Sequence, residues 1–363
     1  MTSPVRYAPS VETVEPDEAE TVRDLEASFK EILDTTSKDY GHAVRSVHAK
    51  AHGIAKGTLS VKGGLPPELA QGLFATPGEH EAILRISTNP GDILDDSIAL
   101  PRGLALKVLG VDGARVAGSE GDTTQDFIMV NGPVFNAPDP KAFAKNLKLL
   151  AKTTDKGESG KKLLSGILRG VEATLEAVGL ESATLQQLGG APQVHPLGET
   201  YYSQTAFRYG DHIAKFALVP VSPALTQLTG DTVNVTADRP DALREVVREV
   251  MIEQGGTWEL RVQLNTDLDA MPVEDPTEEW DEKASPYVTV ATLVAPPQLS
   301  WTPGETEGLD DALAYSVWNA LDAHRPLGGV NRVRKDTYTF SQDYRGRFNG
   351  CPLHQPKTLD ELA

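Results

Sequence analysis

The stretch Trp258-Glu-Leu260-Arg-Val262-Gln-Leu264 alternates apolar and polar residues at every step. Side chains on a β-strand point to opposite faces in turn, so this run reads as a strand with one buried face. A helix of that length would spread the same four apolar residues around its circumference. Working outward, Pro240–Glu253 carries Leu243, Val246, Val247 and Val250 at helical spacing, while Phe207–Val221 holds two further strands and Tyr287–Val294 one more.

The first half of the chain repeats the strand signal. Ile54–Val61, Ile83–Thr88, Leu104–Leu109 and Asp126–Val130 are short runs bounded by Gly, Pro and Asp, with turn clusters at Gly63-Gly64 and Asn89-Pro90-Gly91. Helices are predicted over Asp17 to about Tyr40 (Val22, Leu25, Phe29, Leu33), from an Asp139 N-cap and Pro140 onward (Phe143, Leu147, Leu150), and over Lys161–Val178, Asp310–Asp322 and Val330–Arg345. Residues 1–15 read as a flexible lead-in. About eight strands with helices inserted among and after them imply an α+β fold, an antiparallel β-barrel with helical decoration. Residues 1–40 form a lead-in and helix, and 41–363 a single domain.

Composition narrows the function. The chain has 363 residues, a formal net charge of −18, eight His and a single cysteine, Cys351. One cysteine excludes an intrachain disulfide framework and any cysteine-based zinc or iron–sulfur cage. The acidic balance argues against nucleic acid or an anionic membrane surface as partner. No stretch approaches the ~20 apolar residues of a membrane helix, and the first residues lack the apolar core of a secretory signal. A cytoplasmic enzyme is the expectation.

Four constellations carry candidate chemistry. Arg45-Ser-Val-His48-Ala-Lys-Ala-His-Gly53 places an imidazole, which titrates near neutral pH, just before a strand. Taken alone, such a His is more often a structural residue. In Ile83-Leu-Arg85-Ile-Ser87-Thr88, alternation puts Arg85 and Ser87 on one face; that face either meets solvent or meets a buried partner such as a carboxylate. Asn131, at the end of Asp126–Val130, can bind a ligand or simply make the turn. Arg334 and Tyr338 are helix neighbours, and Arg345 lies two turns further on the same face. A phenol titrates near pH ~10. A guanidinium beside it favours the phenolate, the form that ligates ferric iron.

In this order the four constellations resemble the haem-dependent catalases and their smaller peroxidase-like and allene-oxide-synthase-like relatives. RSVHAKAHG is similar to the family's RVVHAKGAG, RIST to RFST, PRGLALKV (Pro101–Val108) to PRGFAVKF, and the RxxxY of Arg334 and Tyr338 to the family's iron-ligand pair. The resemblance implies a catalase-type barrel holding haem b, with Tyr338 as axial ligand, His48 as distal acid/base and Asn131 as distal amide, one residue later than its family counterpart. It further implies haem contacts from Arg45, Arg85, Ser87, Phe143, Arg334 and Arg345, with Ser87 orienting the His48 ring. Thr339-Phe-Ser-Gln-Asp-Tyr-Arg345 departs from the His-rich family stretch after the tyrosine. The long N-terminal arm and C-terminal helical region of large catalases have no counterpart here, so their interlaced tetramer and bound NADPH are not expected; a homodimer stays open.

The implied activity is decomposition of hydrogen peroxide or an organic hydroperoxide, with an organic electron donor in a peroxidase cycle. Val47 precedes the distal His as in true catalases, whereas the fatty-acid hydroperoxide branch resembles a Thr there, which favours peroxide decomposition. Fatty-acid hydroperoxide rearrangement and low-turnover haem carriage remain as alternatives.

Overall fold

A computed structural model describes residues 3–154, 193–236, 238–351 and 353–362; the helix expected over Lys161–Val178 and the side chain of Leu150 lie outside them. The strands are β1 (Ala51–Val61), β2 (Gly78–Thr88), β3 (Arg102–Val108), β4 (Gln125–Val130), β5 (Tyr201–Tyr202), β6 (Phe207–Tyr209), β7 (His212–Pro220), β8 (Gly256–Leu264) and β9 (Val288–Ala295). Hydrogen bonding runs β5-β4-β3-β2-β1-β9-β8-β7, and β5 then pairs with β7 to close an eight-stranded antiparallel barrel, with β6 hanging on β7 as an extra strand. The expected α+β barrel is therefore the observed fold. The closing strand is only the Tyr201-Tyr202 pair, too short for periodicity to reveal.

Register sorts the residues of β2, β3 and β4 onto two faces. Rows Leu84–Leu106–Phe127 and Ile86–Leu104–Met129 point into the barrel, where they join Leu59, Phe216, Trp258, Leu260 and Leu293 in one core. Each such side chain, fully buried, stabilises the fold by about 1.5–3 kcal/mol. The alternate rows, Ser87–Gly103–Val130, Arg85–Ala105–Ile128 and Ile83–Lys107–Asp126, face outward. Even so, Arg85, Ser87, Lys107 and Asp126 are buried, so this outer face is covered rather than solvated.

Helices supply the cover. α1 (Glu18–Tyr40), α2 (Pro140–Thr154) and α5 (Gly329–Asn349) pack through Leu25, Phe29, Ile32, Ala144, Leu147 and Val333. Asp139 caps α2, its Oδ1 accepting from Ala142 N at 2.8 Å. α3 (Ala242–Glu253) lays Val247 against Gly53 of β1, and α4 (Glu305–Ala312) lies upstream of α5.

Two expectations are corrected. The helix predicted over Asp310–Asp322 ends at Ala312, where α4 stops. The chain beyond it crosses the outer face of the barrel, and Ser316 N and Asn319 Nδ2 each donate to Asp126 Oδ2 at 3.0 Å. Helical backbone would have spent that amide internally and left a buried carboxylate short of donors. The lead-in is also anchored rather than loose. Val5 N donates to Asn265 O at 2.8 Å, and Glu12, Glu18 and Glu274 converge on Arg332 of α5 at 2.8, 2.9 and 3.0 Å.

Lys107 Nζ lies 2.7 and 2.9 Å from the two carboxylate oxygens of Asp126, with both side chains wholly buried. Removing one partner of such a pair strands the other charge in a low dielectric. Lys107→Met is expected to cost about 3–5 kcal/mol by urea denaturation, and Lys107→Met/Asp126→Asn, which removes both charges and keeps an acceptor for Ser316 N, to recover most of it. Equal losses in the single and double variants would show that charge pairing is not what holds this wall.

Candidate functional site

The outward rows of β2–β4 form the floor of a cavity roofed by α5. Arg85, Ser87, Gly103, Ala105 and Ile128 come from the floor, Tyr338, Ser341, Gln342 and Arg345 from the roof. Arg45–His48 and Tyr315 close the sides. The solvent-facing alternative for Arg85 and Ser87 is excluded, because each retains only 3% exposure.

His48 occupies a left-handed backbone conformation, φ +54, which is uncommon for a residue with a side chain and persists only where its surroundings dictate it. Here they do. His48 N donates to Asn89 O at 2.7 Å, Ala49 N donates to Pro90 O at 2.8 Å, and Arg85 Nη2 donates to His48 O at 2.9 Å. The ring places Nδ1 3.2 Å from Ser87 Oγ. A Cβ on Gly103 would stand 2.4 Å from the ring's Cε1, so only glycine at that strand position admits the imidazole. Burial, then the guanidiniums of Arg85, Arg334 and Arg45, push His48 down to about 3. It is therefore neutral across the physiological range.

Beside it lies a cationic cluster. Asp310, from α4, binds Arg85 through both oxygens (Oδ1 to Nε 2.6 Å, Oδ2 to Nη2 3.0 Å) and binds Arg45 Nη1 at 2.9 Å. Burial raises the Asp310 carboxyl, but Arg45 and Arg85 outweigh it and hold the group at about 2. Arg345 is also buried, but its bonds to Asp311 O and Leu313 O are long, 3.5 and 3.4 Å, and its Nε has no partner. Burial and Arg45 push this guanidinium down to about 9, leaving it charged at neutral pH. Three guanidiniums thus stand against the carboxylates of Asp310, which pairs with Arg45 and Arg85, and Asp311, a net positive field that favours a further anion in the cavity.

On the roof, Arg334 donates to the Tyr338 phenol oxygen from Nε at 3.1 Å and from Nη2 at 2.6 Å. Its Nη1 donates to Asn331 Oδ1 at 3.1 Å, and Asn331 is itself buried and anchored through Nδ2 to Ala206 O and Leu327 O at 3.0 Å each. Two charge-assisted donors on one oxygen complement negative charge there.

Among the residues singled out from sequence, Arg45, His48, Arg85, Ser87, Tyr338 and Arg345 all line this cavity, with Arg334 directly behind Tyr338. Asn131 and Phe143 do not line it. Asn131 Oδ1 accepts from Arg102 N at 2.7 Å and its amide donates to Glu199, while Phe143 packs on Phe135 at 5.2 Å between ring centres, in the cluster shared by α1, α2 and α5. Sequence reasoning missed Gly103, Asp310 and Tyr315. The first carried a signal, a glycine inside a strand. The other two sit in a stretch misread as continuous helix.

Asp310→Asn would leave Arg45 and Arg85 without their shared carboxylate and is expected to cost about 3–5 kcal/mol in urea unfolding. The sign with pH follows from a depressed carboxylate. Its stabilisation is present above the unfolded value of ~3.9 and is lost as pH falls toward about 2. The gap between wild type and variant is therefore expected to shrink between those values; a gap constant down to pH ~2 would contradict the assignment.

No family model and no curated protein sequence matches the chain. Solved structures do. Catalase A from Saccharomyces cerevisiae superposes with a TM-score of 0.58 at 17% identity, over 90% of this chain and 66% of that one. A fungal catalase gives 0.57 at 19% identity, covering 87% and 61%, and a bacterial catalase 0.58 at 15%, covering 90% and 63%. The chain spans less than two thirds of the length of these proteins. It has the catalase fold.

Proposed function

We propose that the cavity between α5 and the barrel holds haem b and that the protein decomposes hydrogen peroxide or an organic hydroperoxide there. One observation carries the reading. The neutral imidazole of His48 and the Arg334-backed phenol of Tyr338, contributed from opposite ends of the chain, line one cavity. The residues fit the cofactor. Tyr338 Oη offers an oxygen suited to ferric iron, Val47, Ala105 and Ile128 offer apolar wall, and the arginine cluster offers counter-charge for a macrocycle that bears carboxylates.

When bound, haem iron would supply the redox chemistry needed to break an O–O bond. The chain's own part is proton management. The Ser87 hydroxyl can donate to Gly103 O, at 3.4 Å. His48 Nδ1–H then donates to Ser87 Oγ, and Nε2 is left with a free lone pair. That nitrogen takes a proton from one peroxide oxygen and returns it to the other, so the departing oxygen leaves as water from hydrogen peroxide, or as an alcohol from an organic hydroperoxide, rather than as an anion. An imidazole held down to about 3 keeps the lone pair available throughout the neutral range. Arg334 keeps two donors on the Tyr338 oxygen as it takes up charge. In a peroxidase cycle a small organic donor would supply the electrons.

Absorption spectroscopy of the haem-loaded protein tests the cofactor assignment. Wild type is expected to give a high-spin ferric, phenolate-ligated spectrum that Tyr338→Phe loses; identical spectra would refute Tyr338 as ligand. His48→Ala is expected to slow peroxide consumption by ~100-fold or more, and unchanged turnover would leave haem carriage as the function. Gly103→Ala should displace the ring and cost ~100-fold, with the Soret band retained. A lipid hydroperoxide converted to epoxide or aldehyde without oxygen release would instead identify the fatty-acid hydroperoxide reaction.

A further inference from the structure

α5 carries Arg334 and Tyr338, yet it supplies no cap of its own. Its N-cap is Gly328, which has no side chain to accept from the first amides. The backbone there, at φ +84, lies where glycine is favoured, and a Cβ would stand 2.6 Å from Val273 O. The first amides of a helix need acceptors from elsewhere. They find two carboxylates distant in the chain: Glu12 Oε1 accepts from Gly328 N at 2.9 Å, and Glu274 Oε2 accepts from Gly329 N at 2.7 Å. Negative charge at that end also complements the helix dipole.

Glu12 arrives on a segment fastened along its length. Val5 N donates to Asn265 O and Tyr7 N to Asp211 O, each at 2.8 Å, and Val5, Tyr7 and Val11 pack on the cluster of Ile213, Met271, Val273, Trp280 and Leu327. Arg332, in the first turn of α5, gathers Glu12, Glu18 and Glu274, and its Nη2 donates to Thr13 O at 2.9 Å. Three carboxylates exceed what one guanidinium needs, so pairing of Arg332 does not account for Glu12. A contiguous route does. Leu327 N donates to Ala206 O, and Leu327 O accepts from Asn331 Nδ2, each at 3.0 Å. Asn331 Oδ1 accepts from Arg334 Nη1 at 3.1 Å, and Arg334 places two donors on Tyr338 Oη. Buried or half-buried links of this kind pass a displacement along instead of yielding to solvent.

We propose that Glu12 is a positioning residue for Tyr338: the N-terminal segment braces the first turn of α5 and, through Leu327, Asn331 and Arg334, fixes the place of the phenol oxygen. That this oxygen ligates iron rests on the haem reading; that it is positioned from the N-terminus does not. Glu12 touches no ligand and moves no proton. Without it Arg332 keeps Glu18 and Glu274, so the fold persists while Arg334 loosens on Tyr338.

The test uses the full chain, haem-free and labelled with fluorotyrosine, and follows Tyr338 by fluorine NMR, its resonance identified by its loss in Tyr338→Phe. Glu12→Ala is expected to shift or broaden that resonance and to speed amide exchange in the first turns of α5 by ~10-fold, leaving β8 unchanged. Glu12→Gln, which keeps an acceptor for Gly328 N, is expected to recover most of both. Arg6→Ala breaks only an exposed pair with Asp211 and is expected to move neither. In haem-loaded protein Glu12→Ala is expected to favour the ferric state by ~3-fold against a redox dye, because a phenolate with looser donors gives more electron density to iron. Val11→Ala thins the packing of the same segment and gives an independent reading if Glu12→Ala folds poorly. Exchange that rises evenly over the barrel, or rises in α5 while the Tyr338 resonance stays put, marks a merely stabilising strap and overturns the assignment. Wild type that takes up no haem brings down the haem reading and leaves the fluorine resonance to decide the brace.

Discussion

The outer face of β2–β4 has to be covered, and that constraint organises the molecule. Its rows carry Arg85, Lys107 and Asp126 beside Ser87 and Gly103, groups that an apolar cover would leave unpaired and that solvent is not present to satisfy. The chain answers with Asp310 for Arg85, with Ser316 and Asn319 for Asp126, and with α5 as a roof. The cavity is what remains where the roof does not touch the floor. Barrel interior and cavity face are thus separate. Leucine and phenylalanine fill one, while charge, small residues and an imidazole furnish the other.

This separation explains how a strained loop can carry the imidazole that lines the cavity. The left-handed backbone at His48 is held from three sides, by Asn89, Pro90 and Arg85, and Arg85 is itself locked by Asp310. The Arg85 guanidinium therefore fixes the loop on which the imidazole rides. Arg334 has a similar place on the roof, spanning Tyr338 and the buried Asn331. Both cations are braced by polar groups outside the cavity, which keeps their geometry independent of whatever the cavity contains.

Much of this was legible in the chain. Period-two runs marked the long strands, and the order of RSVHAKAHG, RIST, PRGLALKV and RxxxY pointed to the catalase scaffold before any coordinates. Alternation placed Arg85 with Ser87 correctly, but could not say whether their face met water. What escaped has identifiable causes. A two-residue closing strand has no period. Asp310 meets Arg85 across 225 residues, and no local pattern encodes such a contact. The apolar and charged residues between Asp310 and Asp322 suit a helix, yet tertiary demand from Asp126 stops it at Ala312.

The amino-acid sequence by itself determined the barrel class, the helix roof and the residue types available for chemistry, because these follow from periodicity and from short motifs with fixed local geometry. Only the tertiary structure decided that Arg45 and Arg85 are already spent on Asp310, and that Asn131 turns to Arg102 and Glu199 instead of the cavity. Electrostatic pairing and hydrogen-bond satisfaction depend on distances between segments far apart in the chain, and those distances exist only once the barrel has closed.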